Sequence, residues 1–383
     1  MFRKMVFLKK TYLFFTGKAF MKILQILTEL GPGGAERVVL DLSGELIAEG
    51  HSVSVISLKS PPENKTIPDS FRAMGIVPEY LHFDSPRDFM RLFSLRAKIK
   101  KFAPDIIHSH LVHPNLLARL ASIGLGIPLV NSVHISERRS GQGLLFLLDR
   151  LTFPLCSICT AVSNASARFQ EKKLGLPENT IRVVYNGVDP VPRPDAGLLR
   201  KRREEWEMTE CSRIIGSIGR LDPQKGFDLF LRCFPALSKK VPHGEKWGVV
   251  ILGEGAQRSE LEALASAVPE NIKVVLPGFF ADARSMIWMF DCFVMPSRYE
   301  GYGLVLAEAM TTGVPAVVSP ADSLPELCRL YPNGTVVSFE NGKNTAEAVV
   351  KAVLSSRSEP CLICSRKEMA ERYLEIYRNV SSI

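Results

Sequence analysis

The most informative segment of the chain is Ser297-Arg-Tyr-Glu-Gly-Tyr-Gly-Leu-Val-Leu-Ala-Glu-Ala-Met-Thr-Thr-Gly-Val-Pro315. It follows the apolar run 291–296, which is typical of a short buried strand. Glycines then interrupt the chain, and the residues from Gly303 to Thr312 are mostly good helix formers. The segment therefore predicts a strand, a glycine-rich turn and a helix. This arrangement points backbone N–H groups and a partial positive charge at an anion, usually a phosphate.

Two glutamates bracket the predicted turn and helix. Glu300 lies in the turn, and Glu308 lies between one and two turns into the predicted helix, roughly 7–8 Å along its axis. A carboxylate offers acceptor oxygens and no donor, so Glu308 suits the two hydroxyls of a ribose. The pattern predicts a diphosphate at the helix tip, a ribose beside Glu308 and the transferable group beside Glu300. Taken alone, it favours a plain surface helix with two solvated glutamates, but the rest of the chain supports a site.

The spacing E-G-x-G-L-x-x-x-E-A-M resembles the signature of family 4 of the retaining glycosyltransferases, and the resemblance covers nearly all of residues 21–383. It implies the α/β fold called GT-B, in which two Rossmann-like domains face each other across a cleft. On this basis we expect an extension at 1–20 and an acceptor-binding domain at 21–190. A nucleotide-sugar-binding domain is expected at 191–365, followed by a helix at 366–383 that returns to the first domain.

The N-terminal half opens as a Rossmann-like βαβ unit. A strand at 21–28 precedes the turn G-P-G-G-A-E-R at 31–37, and a helix then leads to a second strand at 51–58. The unit lacks G-x-G-x-x-G and an acidic residue closing the second strand, which disfavours NAD binding. The turn resembles the family's first loop, in which Gly33 and Gly34 let the backbone approach donor and acceptor. A plain tight turn is the alternative.

Histidines accumulate at the ends of two predicted strands. His134 closes the strand 128–134, at the edge where open α/β sheets bind ligands, and it matches the family's histidine beside the donor sugar. His108, His110 and His113 suggest a metal as one interpretation, but they also fit polar loop positions. The family is generally metal-independent, and the chain contains no D-x-D motif. We therefore expect no metal and no cofactor, with the nucleotide-diphosphate sugar as a substrate.

Two cations flank a tight turn at the start of the second domain. Arg220 can donate bidentate hydrogen bonds to two phosphate oxygens, and Lys225 acts as a point charge, so the pair suits a diphosphate. The two residues also match the family's phosphate-binding cations. Two ordinary surface cations are the alternative. The donor-binding residues are expected to be Gly33, Gly34, Arg220, Lys225, Gly303, Leu304, Val305 and Glu308. The expected catalytic residues are His134 and Glu300, and weaker candidates beside the base are Phe279 and Phe280.

The composition sets the class of partner. The chain has 383 residues, 46% of them hydrophobic and 23% charged, which fits two globular domains. The net charge of +8 favours anionic partners such as sugar nucleotides or acidic lipids, and nucleic acid comes last because no nucleic-acid-binding motif is present. Two C-x-x-C pairs, at 156–159 and 361–364, are far apart and have apolar flanks. We expect reduced structural cysteines in a reducing cytosol rather than zinc.

Two stretches are candidates for a membrane surface. Residues 1–20 are basic and apolar, but Lys9 and Lys10 interrupt the apolar core that a secretory signal needs, and the stretch is too short to span a bilayer. An interfacial anchor and a translated upstream extension before Met21 are equally good interpretations. Residues 86–102 predict a basic amphipathic helix, for which a solvated face is slightly favoured over a membrane-bound one.

The resemblance implies an activity. It is the retaining, metal-independent transfer of a hexose or N-acetylhexosamine from a nucleotide-diphosphate sugar, with a UDP-sugar favoured. The implied acceptor is a hydroxyl of a lipid-linked or envelope glycan, as in polysaccharide or lipopolysaccharide biosynthesis. The implied location is the cytoplasm, peripheral to the inner face of the membrane. The alternatives are a nucleotide-sugar 2-epimerase of the same fold and a membrane-associated nucleotide-sugar-binding protein without activity.

Overall fold

A computed structural model describes residues 20–84, 91–134 and 143–381, in which strands and helices alternate. The strands are β1 (Lys22–Leu27), β2 (Ser52–Ser57), β3 (Glu79–Tyr80), β4 (Ile106–His110), β5 (Leu129–Val133), β6 (Ile158–Ala161), β7 (Arg182–Val183), β8 (Arg213–Ile218), β9 (Trp247–Leu252), β10 (Ile272–Gly278), β11 (Cys292–Met295), β12 (Ala316–Val318) and β13 (Gly334–Val336). The α-helices are α1 (Gly34–Ala48), α2 (Thr66–Ala73), α3 (Arg91–Phe102), α4 (Val112–Ser122), α5 (Gly143–Thr152), α6 (Asn164–Leu174), α7 (Ala196–Glu205), α8 (Phe227–Leu231), α9 (Phe234–Ser238), α10 (Arg258–Ser266), α11 (Leu304–Met310), α12 (Leu324–Cys328), α13 (Gly342–Val353) and α14 (Arg366–Ser381). Short 3-10 helices cover Phe153–Leu155, Pro223–Lys225 and Ala283–Met289.

The strands form two parallel sheets. The first has the order β3-β2-β1-β4-β5-β6-β7, and the second has the order β10-β9-β8-β11-β12-β13. Their central strands are buried along almost their whole length, because helices cover both faces of a parallel sheet. The predicted GT-B fold, with two Rossmann-like sheets, is confirmed. The domain boundaries at 190 and 365 stay predictions.

Each sheet reverses its strand order at one place, and the expected site residues follow the strands on either side of it. In the first sheet the reversal lies between β1 and β4, and in the second it lies between β8 and β11. Gly33 and Gly34 come after β1, Arg220 comes after β8, and Glu300 comes after β11. Ligands of open α/β sheets bind in the crevice at such a reversal. The topology therefore brings the candidate residues to the carboxyl edges of both sheets.

The last helix packs on the first domain. Residues of α14, among them Tyr373 and Tyr377, are buried in the same apolar cluster as α1 and strands of the first sheet. At the start of α14, Arg366 NH1 lies 3.3 Å from an Asp41 carboxylate oxygen, and Arg366 Nε lies 3.2 Å from an Asp189 carboxylate oxygen. The C-terminal end of the chain thus fastens the segment between the two sheets to the first domain.

The structure bears on the two predicted membrane-facing stretches in different ways. Residues 1–19 lie outside the described residues, as do residues 86–90 of the predicted basic helix. The described part, α3, buries Leu95 and Ile99 against the first sheet. This burial fits the interpretation of α3 as a surface helix with a solvated basic face. In the described ranges, no helix combines the length and the apolar character needed to cross a bilayer.

The cysteines are all free thiols. Cys159, Cys211, Cys233, Cys292, Cys328 and Cys364 are buried, and Cys156 and Cys361 are partly buried. Burial raises the pKa of each of these thiols, and it raises the pKa of the fully buried Cys159 well above its usual value. Within the described residues, no group of three or more histidine, cysteine and acidic side chains is placed to hold a metal ion.

Candidate active site

The site is organised around an ion pair between Lys225 and Glu300. Lys225 ends a 3-10 turn after β8, and Glu300 lies in the turn after β11, so neighbouring strands of one sheet deliver the two side chains. The Lys225 ammonium donates a hydrogen bond to Glu300 Oε1, and Ser297 Oγ donates another at 2.9 Å. The Glu300 side chain is only 8% exposed. A buried carboxylate needs such partners, which fix its position at the edge of the cleft.

Backbone contacts hold the Glu300 turn on two sides. The Glu300 N–H donates to Asp322 Oδ2 at 2.9 Å. From the first domain, Ser163 Oγ and Ser166 Oγ both donate to the carbonyl oxygen of Gly301, at 2.7 and 2.9 Å. The turn that carries the predicted catalytic glutamate is therefore positioned by hydrogen bonds from both domains.

A second contact between the domains lies beside the first. The carboxylate of Glu326, in α12, accepts from the N–H of Asn164 at 3.1 Å and from its side-chain amide at 2.6 Å. Tyr185 OH donates to the same oxygen at 2.6 Å. Because the first backbone N–H groups of a helix have no partner within it, an acidic side chain there stabilises the helix. Glu326 thus caps α6 from the opposite domain.

Arg220 and Lys225 do not form one rigid pair. Arg220 is 57% exposed, and its Nε lies 3.5 Å from Asp222 Oδ2. Lys225 is largely buried and bound to Glu300. Lys225 is therefore positioned within the site before any ligand arrives, whereas Arg220 extends from the end of β8 into solvent and is free to rearrange around an anion.

Glu308 lies inside the cleft rather than on a solvated face. It belongs to α11, which begins at Leu304 directly after Gly303. Its side chain is mostly buried, and Arg284 NH1 lies 4.0 Å from its Oε1. Burial raises the pKa of Glu308, and the nearby guanidinium groups of Arg284 and Arg37 act in the opposite direction. A solvated Glu308, the plain alternative, is wrong because the carboxylate is enclosed by groups from both domains.

The first loop meets the tip of α11 across the cleft. A Cβ placed on Gly34 would lie 3.5 Å from Leu304 Cδ1, which is ordinary van der Waals contact. Val305 follows Leu304 in the first turn of α11. The glycines of the first domain and the predicted phosphate-binding turn of the second domain therefore face each other.

Glu36 belongs to the first-loop motif at 31–37 and was not among the predicted site residues. Glu36 is buried at the start of α1, and its carboxylate folds back over Gly33, whose missing side chain leaves the space. Burial raises the pKa of Glu36 to about 7, although the Arg220 guanidinium lowers it. A carboxyl group that titrates near neutrality in a cleft is a candidate functional group, and its place beside two glycines was the available signal.

His134 is buried at the carboxyl end of β5 and is held by a second histidine. His134 Nε2 and His110 Nδ1 are 2.9 Å apart, and His110 Nε2 lies 2.7 Å from Gln25 Oε1. Burial lowers the pKa of His134 to about 4, so the imidazole is neutral at pH 7. A neutral imidazole both donates and accepts hydrogen bonds, which suits contact with a sugar hydroxyl.

The alternative of polar loop positions is wrong for His108 and His110. Both lie in β4 and are fully buried. His108 Nδ1 lies 2.7 Å from Tyr377 OH of α14, and its Nε2 lies 2.7 Å from Ser132 Oγ of β5. His113 is exposed in α4. The histidines of β4 thus belong to a hydrogen-bonded polar layer inside the first domain.

The two phenylalanines predicted near the base differ in their surroundings. Phe280 packs edge-on against Trp206, with ring centroids 6.3 Å apart, and the Arg202 guanidinium lies over its ring. Phe279 is half exposed. These contacts of Phe280 are with α7 and the residue that follows it, whereas the ring of Phe279 is the more accessible of the two.

Sequence comparisons match both halves of the chain. The family described as Glycosyltransferase Family 4 matches residues 32–191, and the family described as Glycosyl transferases group 1 matches residues 200–371. The protein is a GT-B glycosyltransferase of the family 4 type.

Relatives of this glycosyltransferase act on different sugars. It is 26% identical to the Escherichia coli UDP-Gal:alpha-D-GlcNAc-diphosphoundecaprenol alpha-1,3-galactosyltransferase, over 86% of this chain and 88% of that protein. It is also 26% identical to the phosphatidyl-myo-inositol mannosyltransferase of Mycolicibacterium smegmatis, over 89% of this chain and 86% of that protein. Among solved structures, Anabaena Alr3699/HepE in complex with UDP and glucose has the same fold, with a TM-score of 0.75 and 20% identity over 95% of this chain and 100% of that one.

Proposed function

We propose that the glycosyltransferase moves a hexose or N-acetylhexosamine from a UDP-sugar to a hydroxyl of a lipid-linked or envelope glycan, and that the product retains the anomeric configuration of the donor. The observation that carries the proposal is the Lys225–Glu300 ion pair beside the turn that leads into α11, whose tip meets Gly34 of the first loop. These groups come from both domains and lie at the carboxyl edges of both sheets.

The main chemical difficulty is the charge that develops on the departing diphosphate. Lys225 has three N–H donors, so it can keep its bond to Glu300 and still donate to a phosphate oxygen. Arg220 adds a second cation that is free to close on the phosphates, and the backbone N–H groups of Gly303, Leu304 and Val305 complete the cradle. Groups that are fixed before reaction stabilise this charge without reorganisation, and their removal typically costs ~3–4 kcal/mol. We propose that they act without a metal ion.

The remaining candidate residues orient the donor. Glu308 would accept hydrogen bonds from the ribose hydroxyls. Its pKa is raised because the carboxylate is buried, and the two O–H donors of a diol would supply hydrogen bonds to it there. Glu300 and neutral His134 would contact the sugar. The bond from the anomeric carbon to the diphosphate breaks as the bond to the acceptor oxygen forms, and the acceptor's proton leaves with the nucleoside diphosphate. Glu300 supports the positive charge on the anomeric carbon and is not assigned a covalent bond to it.

The acceptor is proposed from the relatives. The E. coli galactosyltransferase and the mycolicibacterial mannosyltransferase are both named for lipid-anchored acceptors. A lipid-linked acceptor would place the glycosyltransferase at the cytoplasmic face of a membrane, with residues 21–190 on the acceptor side and 191–365 on the donor side.

A donor panel followed by a transfer assay tests the proposal. Thermal shifts with UDP- and GDP-sugars should select one donor, and Glu308→Ala should reduce that shift. The selected donor is then incubated with a short-chain prenyl diphosphate that carries N-acetylglucosamine, with and without EDTA. We expect a new glycosidic bond whose anomeric coupling in the proton NMR spectrum matches that of the donor, formed equally well with EDTA.

The controls separate the alternatives. Donor incubated alone should stay unchanged, and conversion to an epimer would replace the proposal with an epimerase. A donor-induced shift without turnover on prenyl-linked acceptors or on acceptors extended by further sugars would indicate a binding protein. A product of inverted configuration would contradict the retaining mechanism, and inhibition by EDTA would contradict metal independence.

A further inference from the structure

Helix α5 exposes leucines where helices normally bury them. Leu144, Leu147, Leu148 and Leu151 are 70%, 53%, 40% and 66% exposed, respectively. Their spacing of three, four and seven residues places them on one side of the helix, a pattern that usually marks the stripe packed on the core. We call these four residues the leucine face. A contiguous exposed apolar patch of this kind indicates contact with another apolar phase.

Buried polar contacts fix the orientation of α5. Asp149, the only acidic residue of the helix, points inward and forms a fully buried ion pair with Arg119 of α4 at 2.5 Å. Gln170 of α6 donates to the other Asp149 carboxylate oxygen at 2.7 Å, and Arg119 Nε donates to Asn131 Oδ1 at 2.6 Å. Rotation of α5 to bury the leucines would break this network and expose Phe146, so the outward direction of the leucine face is part of the fold.

The surface beside the leucine face is cationic. Arg150 follows Asp149 and is exposed, and its guanidinium lies against Gly175 at the end of the neighbouring helix α6. In α6, Arg168, Lys172 and Lys173 are exposed, whereas the only acidic residue, Glu171, is buried and accepts from the N–H of Ile181 at 2.9 Å. Helices α5 and α6 therefore present apolar and positively charged groups to solvent and no exposed acidic group of their own.

The apolar and cationic surface of α5 and α6 matches an anionic lipid membrane. Leucines that enter the boundary of the acyl chains, together with lysines and arginines at headgroup level, are the combination that binds anionic lipid surfaces. We propose that the leucine face docks the glycosyltransferase on an anionic membrane. The helix is also the next described element after His134, so docking here would bring a membrane-embedded acceptor to the side of the first domain that carries the site. The proposal rests on the proposed function only for the nature of that acceptor.

Flotation of the full-length chain with vesicles tests the proposal without substrate. Wild-type protein is mixed with vesicles of phosphatidylcholine alone or with 30% phosphatidylglycerol, both in about 0.1 M salt. The test variant carries Leu144→Gln, Leu147→Gln and Leu151→Gln, which keep helix-forming residues at exposed positions. The matched control carries Leu198→Gln, Leu330→Gln and Leu354→Gln, which remove leucines of the second domain that are 38%, 51% and 60% exposed.

We expect the wild type and the matched control to float with the anionic vesicles and the test variant to bind at least tenfold more weakly. Lys172→Gln together with Arg150→Gln should weaken binding to the anionic vesicles specifically. Equal flotation of the test variant and the wild type would overturn the proposal and assign binding to another part of the chain, such as residues 1–20. Failure of the wild type to float would also overturn it, as would a dimer in sedimentation velocity that the leucine substitutions dissociate.

A turnover measurement separates this proposal from the proposed function. The test variant should keep wild-type kcat/KM on a short, water-soluble prenyl-linked acceptor and lose at least tenfold on the same acceptor with a long chain embedded in vesicles. Absence of turnover in the wild type would reject the proposed activity and leave the flotation result valid. Equal loss on both acceptors would show that the substitutions damage the site, and it would overturn a docking role.

Discussion

His134 Nε2 lies 2.9 Å from His110 Nδ1, and this contact sets the tautomer of the histidine predicted to meet the donor sugar. His110 Nε2 faces the side-chain amide oxygen Oε1 of Gln25 at 2.7 Å, so His110 Nε2 carries the proton and His110 Nδ1 is an acceptor. His134 Nε2 must then donate, which leaves His134 Nδ1 with a lone pair. His110 is therefore a positioning residue that prepares His134 to accept a hydrogen bond from a sugar hydroxyl.

Replacement of His110 should alter donor use through His134. His110→Leu removes the acceptor and leaves a buried N–H unpaired. We therefore expect kcat/KM to fall roughly fivefold to 150-fold, which corresponds to a loss of ~1–3 kcal/mol. His110→Asn places an amide oxygen close to the position of Nδ1 and should restore most of the activity. The ring nitrogen chemical shifts of His134 should show one tautomer in the wild type and a mixture in His110→Leu. An unchanged tautomer with lost activity would indicate a packing role instead.

The buried histidines should make the protein sensitive to acid. The pKa of His134 is about 4 in the folded chain and 6.5 ordinarily, so the unfolded chain takes up a proton first as the pH falls. The stabilising contribution is therefore complete above pH 6.5 and is lost as the pH falls toward 4. It amounts to about 3 kcal/mol at most. Urea unfolding of the wild type at pH 7, 6 and 5 should show this loss, and His134→Gln should flatten the slope. Parallel slopes for the two proteins would contradict the assignment.

Substitutions of Lys225 and Arg220 should differ in their effect on the stability of the protein, although both should reduce catalysis. Lys225→Met leaves the buried Glu300 carboxylate with one charge partner fewer, which should reduce the free energy of unfolding by about 1–3 kcal/mol. Arg220→Ala removes an exposed side chain with a 3.5 Å contact to Asp222 and should change stability by less than about 0.5 kcal/mol. Both substitutions should lower kcat/KM, with a loss of transition-state stabilisation of at least ~2–3 kcal/mol. Full activity in Arg220→Ala would remove it from the phosphate site.

The local patterns predicted the strand, turn and helix around Glu300, because short-range periodicity and glycine placement specify them. The edge position of His134, Arg220 and Glu300 followed from the same patterns. Contacts between residues that are distant in the sequence could not be predicted in this way. No local pattern indicates that Ser163 binds Gly301 or that Glu326 caps α6. The leucine face was missed for a related reason: its spacing indicates a core stripe, and only the inward ion pair of Asp149 shows that the helix is turned the other way.

The turn at Gly226 connects the fold to the site. Gly226 has a φ of +65°, and a Cβ there would lie 2.2 Å from the carbonyl oxygen of Pro296, at the start of the segment that carries Glu300. Gly226→Ala should therefore destabilise the protein by at least ~2 kcal/mol, because backbone strain adds to a clash with rigid backbone. Gly244 is the matched control, since its φ is +82° and no atom lies within 4 Å of its Cβ position. Gly244→Ala should reduce the free energy of unfolding only by the cost of the backbone strain, about 1 kcal/mol.

The same comparison separates stability from catalysis. The clash at position 226 pushes the strand-end turn of Lys225 away from the Glu300 turn, so Gly226→Ala should lose kcat/KM even at a temperature where it remains folded. Gly244→Ala should unfold earlier than the wild type and keep full kcat/KM below its transition. Equal activity of the two variants in the folded state would show that the approach of residues 225 and 300 does not depend on this turn.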